Sequence, residues 1–187
     1  MENDILLTDL IEDDIELVRS WRNSQEVSQF MYTDQEISPE DQLRWFEKGK
    51  DNPSRRELMI SYNGGKIGLA TLYNINYRFN SSYWAFYLGD LSFRGAGIGS
   101  KVEYNILALV FDSMNFNKLL CEVFISNDPV INMHEKFGFR REGYFRQHIY
   151  KNNQYHDIVS MAMLNSEWQI LKDYHKKRIY ERTSSER

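Results

Sequence analysis

Hydrophobic residues fall in two kinds of pattern along the chain. Over residues 5 to 10, 58 to 62, 67 to 75 and 83 to 88 they form short alternating or continuous runs rich in β-branched and aromatic side chains, which predicts strands. Asn63-Gly64-Gly65 separates the second run from the third as a hairpin turn would. Over residues 13 to 22 the spacing is helical instead, with Ile15, Leu17, Val18 and Trp21 mostly on one side. A second helix starts at Ser38-Pro39-Glu40-Asp41: a serine cap, proline at the first helical position, acid in the first turn, and then Leu43, Trp45 and Phe46.

The second half repeats the alternation with a crossover. Ile98, Val102, Ile106, Leu109 and Val110 have helical spacing between residues 97 and 111, and residues 119 to 125 read as a buried strand, so strand, helix and strand follow one another. Pro129 opens a helix to about Lys136, stopped by Gly138, and two strands over 144 to 151 and 155 to 163 meet at Asn152-Asn153. After Ser166 the tail reads as helical, then polar and frayed. Antiparallel hairpins at both ends and one parallel crossover in the middle define an α/β (α+β) class.

Composition narrows the picture. A chain of 187 residues with 42% hydrophobic content, no repeat and no Gly/Ser/Pro linker is expected to be one domain over 1 to 187, with its core over 5 to 164 and a helix and polar tail over 165 to 187. Its 23 basic and 27 acidic residues are interspersed, leaving no broad cationic face for nucleic acid. No run approaches the roughly 20 apolar residues of a membrane span, and the acidic start is unlike a signal peptide, so a soluble, cytoplasmic protein without a membrane partner is expected. The single cysteine, Cys121, excludes an internal disulfide and a cysteine cluster for zinc, and no metal is expected; in its apolar run it reads as a small core residue.

Candidate chemistry concentrates in Arg94-Gly95-Ala96-Gly97-Ile98-Gly99-Ser100, set between a strand and a periodic helix. Glycines let consecutive N–H groups turn toward one point, and the helix N-terminus adds its dipole, so the segment can cradle a pyrophosphate. It has neither the Gly-Lys-Ser/Thr order of a Walker loop nor Rossmann spacing. Arg94-x-x-Gly97-x-Gly99 resembles the R/Q-x-x-G-x-G/A signature of the GNAT acetyltransferases. Asn127, with Ile131 and His134-Glu135-Lys136-Phe137-Gly138-Phe139, looks like the family's N…YEKxGF element. The resemblance spans essentially residues 5 to 164.

That resemblance implies a twisted, mixed, mostly antiparallel sheet of about seven strands flanked by helices, with a parallel pair splayed at the acetyl-CoA site. It implies that main-chain amides from Arg94 through Ser100 hold the CoA pyrophosphate, that Leu88-Gly89 marks the bulge where a backbone N–H meets the acetyl carbonyl, and that Asn127 bonds the pantetheine arm. His134 stands where many members carry a tyrosine and would protonate the departing thiolate. Glu122, alternating with Cys121 and Val123, would point away from them toward the substrate channel and accept the amine proton. A narrower likeness, over residues 18 to 46, is to the acetyltransferases of pseudaminic acid synthesis, whose acceptor is UDP-4-amino-4,6-dideoxy-N-acetyl-β-L-altrosamine. Met31, Tyr32, Trp45, Tyr83 and Tyr87 would wall the deoxy sugar, and Arg22 would meet its diphosphate. The expected partner is a small-molecule amine, with a homodimer left open. A protein N-terminus as acceptor, as in ribosomal-protein acetyltransferases, and a non-catalytic acyl-CoA-binding regulator stand as alternatives.

Overall fold

The computed structural model describes residues 4 to 181. Strand β1 (Ile5–Asp9) leads through a 3-10 turn (Glu12–Asp14) into α1 (Ile15–Asn23), the single turn α2 (Gln25–Ser28) and α3 (Pro39–Lys50). A meander follows, β2 (Arg55–Tyr62), β3 (Gly65–Asn76) and β4 (Ser81–Leu88), then α4 (Ile98–Leu107), β5 (Lys118–Phe124), α5 (Asp128–Phe137), β6 (Arg140–Lys151), β7 (Gln154–Leu164) and α6 (Asn165–Tyr180). The seven strands form one sheet in the order β1-β2-β3-β4-β5-β7-β6.

Local chemistry explains most boundaries. Asn63 and Gly64 both take positive φ, as do Asn152 and Asn153, so each hairpin closes on a tight turn whose twist suits the strands. Ser38 Oγ accepts the Asp41 N–H at 3.1 Å, and Pro39 needs no partner at the first helical position. Gly138, at φ 108, ends α5 in the left-handed conformation. The helix read over 97 to 111 is α4 continued by a π-helical stretch, Ala108–Ser113, where the Met114 N–H reaches back to the Leu109 carbonyl. The short α2 carried no periodic signal and was not anticipated. The expected polar tail falls largely on 182 to 187, outside the described residues.

Every pairing is antiparallel except β4 with β5. That parallel pair joins only at Ser81, Ser82 and Tyr83 against Lys118, Leu119 and Leu120, so beyond this point the strands part and leave a cleft in the middle of the sheet. The main core lies on the face covered by α4, α5 and α6, where Trp84, Val102, Ile106, Leu119, Phe137, Met161 and Trp168 are buried. On the opposite face a smaller cluster, Val18, Trp21, Met59 and Leu69, seats α1. The cleft between β4 and β5 connects the two faces.

Candidate active site

On the α4 face the loop after β4 presents backbone amides of the kind that suit an anion. Gly95 and Gly97 both sit at φ 78, a conformation a side chain strongly disfavours, and Gly97 is the N-cap of α4. No side chain caps that helix N-terminus, and the first N–H turned back into the helix is that of Lys101, so the preceding amides are free for a ligand. Arg94 lines the groove with its guanidinium tied to the backbone. Its Nη2 donates to the Glu26 carbonyl at 3.1 Å and the Leu88 carbonyl at 3.4 Å, which staples the loop to α2 and β4.

The groove below this loop measures about 590 Å³ and is lined by Leu88, Arg94, Gly95, Gly97, Gly99, Ser100 and Asn127 among the residues expected there. Asn127 holds the N-cap position of α5 without a capping bond from its side chain. Ala96 is exposed on the outside of the loop, and Ile98 is 3% exposed because it anchors the helix in the core, so neither side chain lines the groove. Lys136 and Arg178 do line it. Their cations, with the helix N-terminus, suit a multiply phosphorylated ligand. Lys136 lies in the motif already singled out, whereas Arg178 comes from α6 and only the tertiary fold brings it close.

Two expectations are corrected here. Gly89 is not the free donor, since its N–H bonds the Ile67 carbonyl at 2.9 Å, and the Asp90 N–H shares that carbonyl at 3.1 Å. A Cβ at Gly89 would strike the Trp21 ring at 2.1 Å, so glycine is required there by packing. With Gly89 turned to β3, strand alternation turns the Leu88 N–H toward the cleft. His134 does not reach the groove either. It is 3% exposed, its Nδ1 lies 2.8 Å from Oε1 of the fully buried Glu103, and its ring packs against Trp84 and Phe139. Burial opposes its charge, but Glu103 and secondarily Cys121 outweigh that and hold its pKa well above the ordinary value. Helical phase is the reason: Val130, Met133 and Phe137 of α5 line the groove, and position 134 falls on the inward side.

A second cavity, about 830 Å³, opens on the other face under α1 and α3. Its floor alternates along the strands, Leu69, Thr71 and Tyr73 from β3, Ala85 and Tyr87 from β4, and Glu122 from β5. Arg22, Met31, Tyr32, Trp45 and Tyr87 line it as expected. Tyr83 does not; it stacks behind Tyr73, ring centroids 5.4 Å apart, and Tyr73 takes the place assigned to it. Glu122 faces the cavity while Cys121 and Val123 go to the core, and its Oε2 accepts the Tyr32 hydroxyl at 2.9 Å. Burial, and then the Glu122 charge, push the Tyr32 and Tyr73 phenols up; for Tyr87 burial alone dominates.

Phe30, Met31, Phe86 and Tyr87 line both cavities, so the two meet at one wall beside the parted strands. That wall is held from far away in sequence. Lys151, at the end of β6 and 3% exposed, donates through Nζ to the carbonyls of Ser28 at 2.6 Å, Gln29 at 3.2 Å and Met31 at 2.6 Å. The Asn152 N–H adds a bond to Asp34 at 3.2 Å.

A phosphate-cradling loop, a cleft between parallel strands and an adjoining pocket coincide with a family match: residues 7–160 fit the acetyltransferase (GNAT) domain model. The chain belongs to the GNAT acetyltransferases. It is therefore an acyltransferase of the N-acetyltransferase type that uses acetyl-CoA, and the groove residues fit that ligand. The chain is 22% identical to the spermidine N(1)-acetyltransferase of Vibrio cholerae, covering 90% of this chain and 97% of that one. It is 25% identical to the acetyltransferase PseH of Campylobacter jejuni, covering 71% and 80%. The crystal structure of the V. cholerae spermidine N-acetyltransferase in complex with CoA and spermine superposes with a TM-score of 0.83 at 20% identity, covering 89% of this chain and 98% of that one. No helix among the described residues is long and apolar enough to cross a membrane.

Proposed function

We propose that this cytoplasmic GNAT enzyme acetylates the 4-amino group of a UDP-linked 4-amino-4,6-dideoxy sugar, UDP-4-amino-4,6-dideoxy-N-acetyl-β-L-altrosamine, a step of pseudaminic acid synthesis. The observation that carries an amine-acetylating reading is the shared wall: a groove suited to CoA and a cavity suited to an acceptor join where β4 and β5 separate. Acetyl-CoA supplies the acyl group as a thioester. The Leu88 N–H, turned into the cleft, polarises the carbonyl; Glu122 takes the proton that frees the amine lone pair. Amide formation and loss of the thiolate need no covalent enzyme intermediate. With His134 in the core, the thiolate draws its proton from water.

The sugar as acceptor is supported by the likeness of residues 18 to 46, by the PseH relative, and by a cavity whose aromatic walls, Tyr32, Trp45, Tyr73 and Tyr87, suit a 6-deoxy edge, with Arg22 and Arg55 at hand for the diphosphate. Those walls also disfavour an extended peptide as acceptor. A second reading, a polyamine, is favoured by the spermidine-acetylating relatives and by Asp34, Glu36, Asp41 and Glu122 around the cavity. Purified enzyme with acetyl-CoA and either the UDP-amino sugar or spermidine, free thiol being monitored, separates the two. Turnover of the sugar is expected; turnover of spermidine with none of the sugar would sink the first reading.

A further inference from the structure

Seven buried side-chain polar atoms among the described residues lack a hydrogen-bond partner, and three of them belong to residues lining the acceptor cavity: Arg22 Nε, Gln42 Nε2 and Tyr87 Oη. They come from three separate elements, α1, α3 and β4. Gln42 is 4% exposed, an amide placed where the helical pattern offered Leu43, which instead faces solvent at 41%. Arg22 spends one Nη2 contact on Thr33 Oγ1, at 3.2 Å, and leaves Nε unused. The guanidinium is near enough to Tyr87 for its charge to act on the phenol. A buried donor without an acceptor costs its lost hydration, and folded proteins keep few of them.

Three of the four carboxylates of the cavity are already engaged, and the fourth, Glu36, is exposed to solvent. Asp41 is engaged by Ser38 and Arg44, Asp34 takes the Asn152 N–H, and Glu122 takes the Tyr32 hydroxyl. The buried groups of this pocket left without a partner are therefore donors, and a polyamine brings only donors and positive charge.

Resting on the reading of this cavity as the acceptor site, we propose that Arg22, Gln42 and Tyr87 form a subsite for an anionic oxygen group carried by the acceptor, a diphosphate or a carboxylate, apart from the amine end at Glu122. A guanidinium and two neutral donors match such a group in charge and in hydrogen-bond sense. The same complementarity selects against spermidine, whose binding would leave all three donors unpaired.

Calorimetric titration of the CoA-loaded protein with UDP, with L-amino acids and with spermidine reads this subsite without turnover. Binding of UDP identifies the diphosphate and binding of an amino acid the carboxylate. In either case Gln42→Leu and Tyr87→Phe should each weaken that ligand about fivefold or more, and for Gln42→Leu, at a residue that lines the acceptor cavity alone, the acetyl-CoA dissociation constant should stay within about twofold. Absence of binding by both anionic families, tighter binding of spermidine than of either, or binding indifferent to Gln42→Leu overturns the proposal. Thiol release with the UDP-amino sugar or an amino acid as the amine carrier then tests the parent reading separately: anion binding that needs Gln42, with no amine acetylated, retains the subsite and removes the acceptor role of the cavity.

Discussion

The groove proposed for the cofactor and the cavity proposed for the acceptor share a wall yet are made from different materials. The glycine-loop end of the groove offers main-chain amides held open by two glycines at φ 78, so that part of its chemistry is written in a contiguous stretch of sequence. The cavity depends on side chains from α1, α3, β3, β4 and β5 and on a loop strapped down by Lys151, so no contiguous stretch describes it. A site made of backbone tolerates side-chain change outside its glycines, whereas one made of side chains is retuned by single substitutions.

Four measurements test the contrast. The largest effect should come from beneath the groove, at the His134–Glu103 pair, where Glu103→Ala leaves a buried imidazolium unpaired and should cost about 3–5 kcal/mol in denaturant unfolding. Because the folded-state pKa of His134 is raised, its contribution is complete below the ordinary value of 6.5 and is lost as pH rises through the raised value. The gap between wild type and variant should therefore shrink in alkaline solution; a gap independent of pH would mean that the pair is held by packing. Gly97→Glu, forcing a side chain into φ 78 and a negative charge toward the pyrophosphate, should weaken acetyl-CoA more than about a hundredfold by calorimetry, while strain at that φ costs only about 1–2 kcal/mol of fold stability. Unchanged affinity would show that the loop does not bind the cofactor.

Glu122→Gln should lower kcat about a hundredfold with acetyl-CoA binding intact, as loss of a general base does; a rate within a few fold of wild type would pass the base role to water. Lys151→Met should raise the acceptor KM about tenfold, near 1.4 kcal/mol, by releasing the turn that carries Phe30 and Met31. Since both residues also border the groove, an equal rise in the acetyl-CoA KM would show that the strap serves both cavities alike.

Periodicity and turn chemistry determined the strands, the longer helices, both Asn-containing hairpin turns and the glycine loop, because each rests on residues close in sequence. The order of elements also gave the parallel crossover, and the resemblance added the cleft. The tertiary structure decided what depends on phase and on distance. One residue of helical rotation sent His134 to Glu103 and turned Met133 to the groove. The same effect in α3 buried Gln42 and exposed Leu43, against the order that hydrophobicity suggests. Trp21 claimed the space above Gly89, Tyr73 stood in front of Tyr83, and Arg178 and Lys151 arrived from the far end of the chain. Local sequence specifies which torsions and which faces are available; only packing of distant elements specifies which face meets the ligand, because that choice is made by the summed contacts of the whole core.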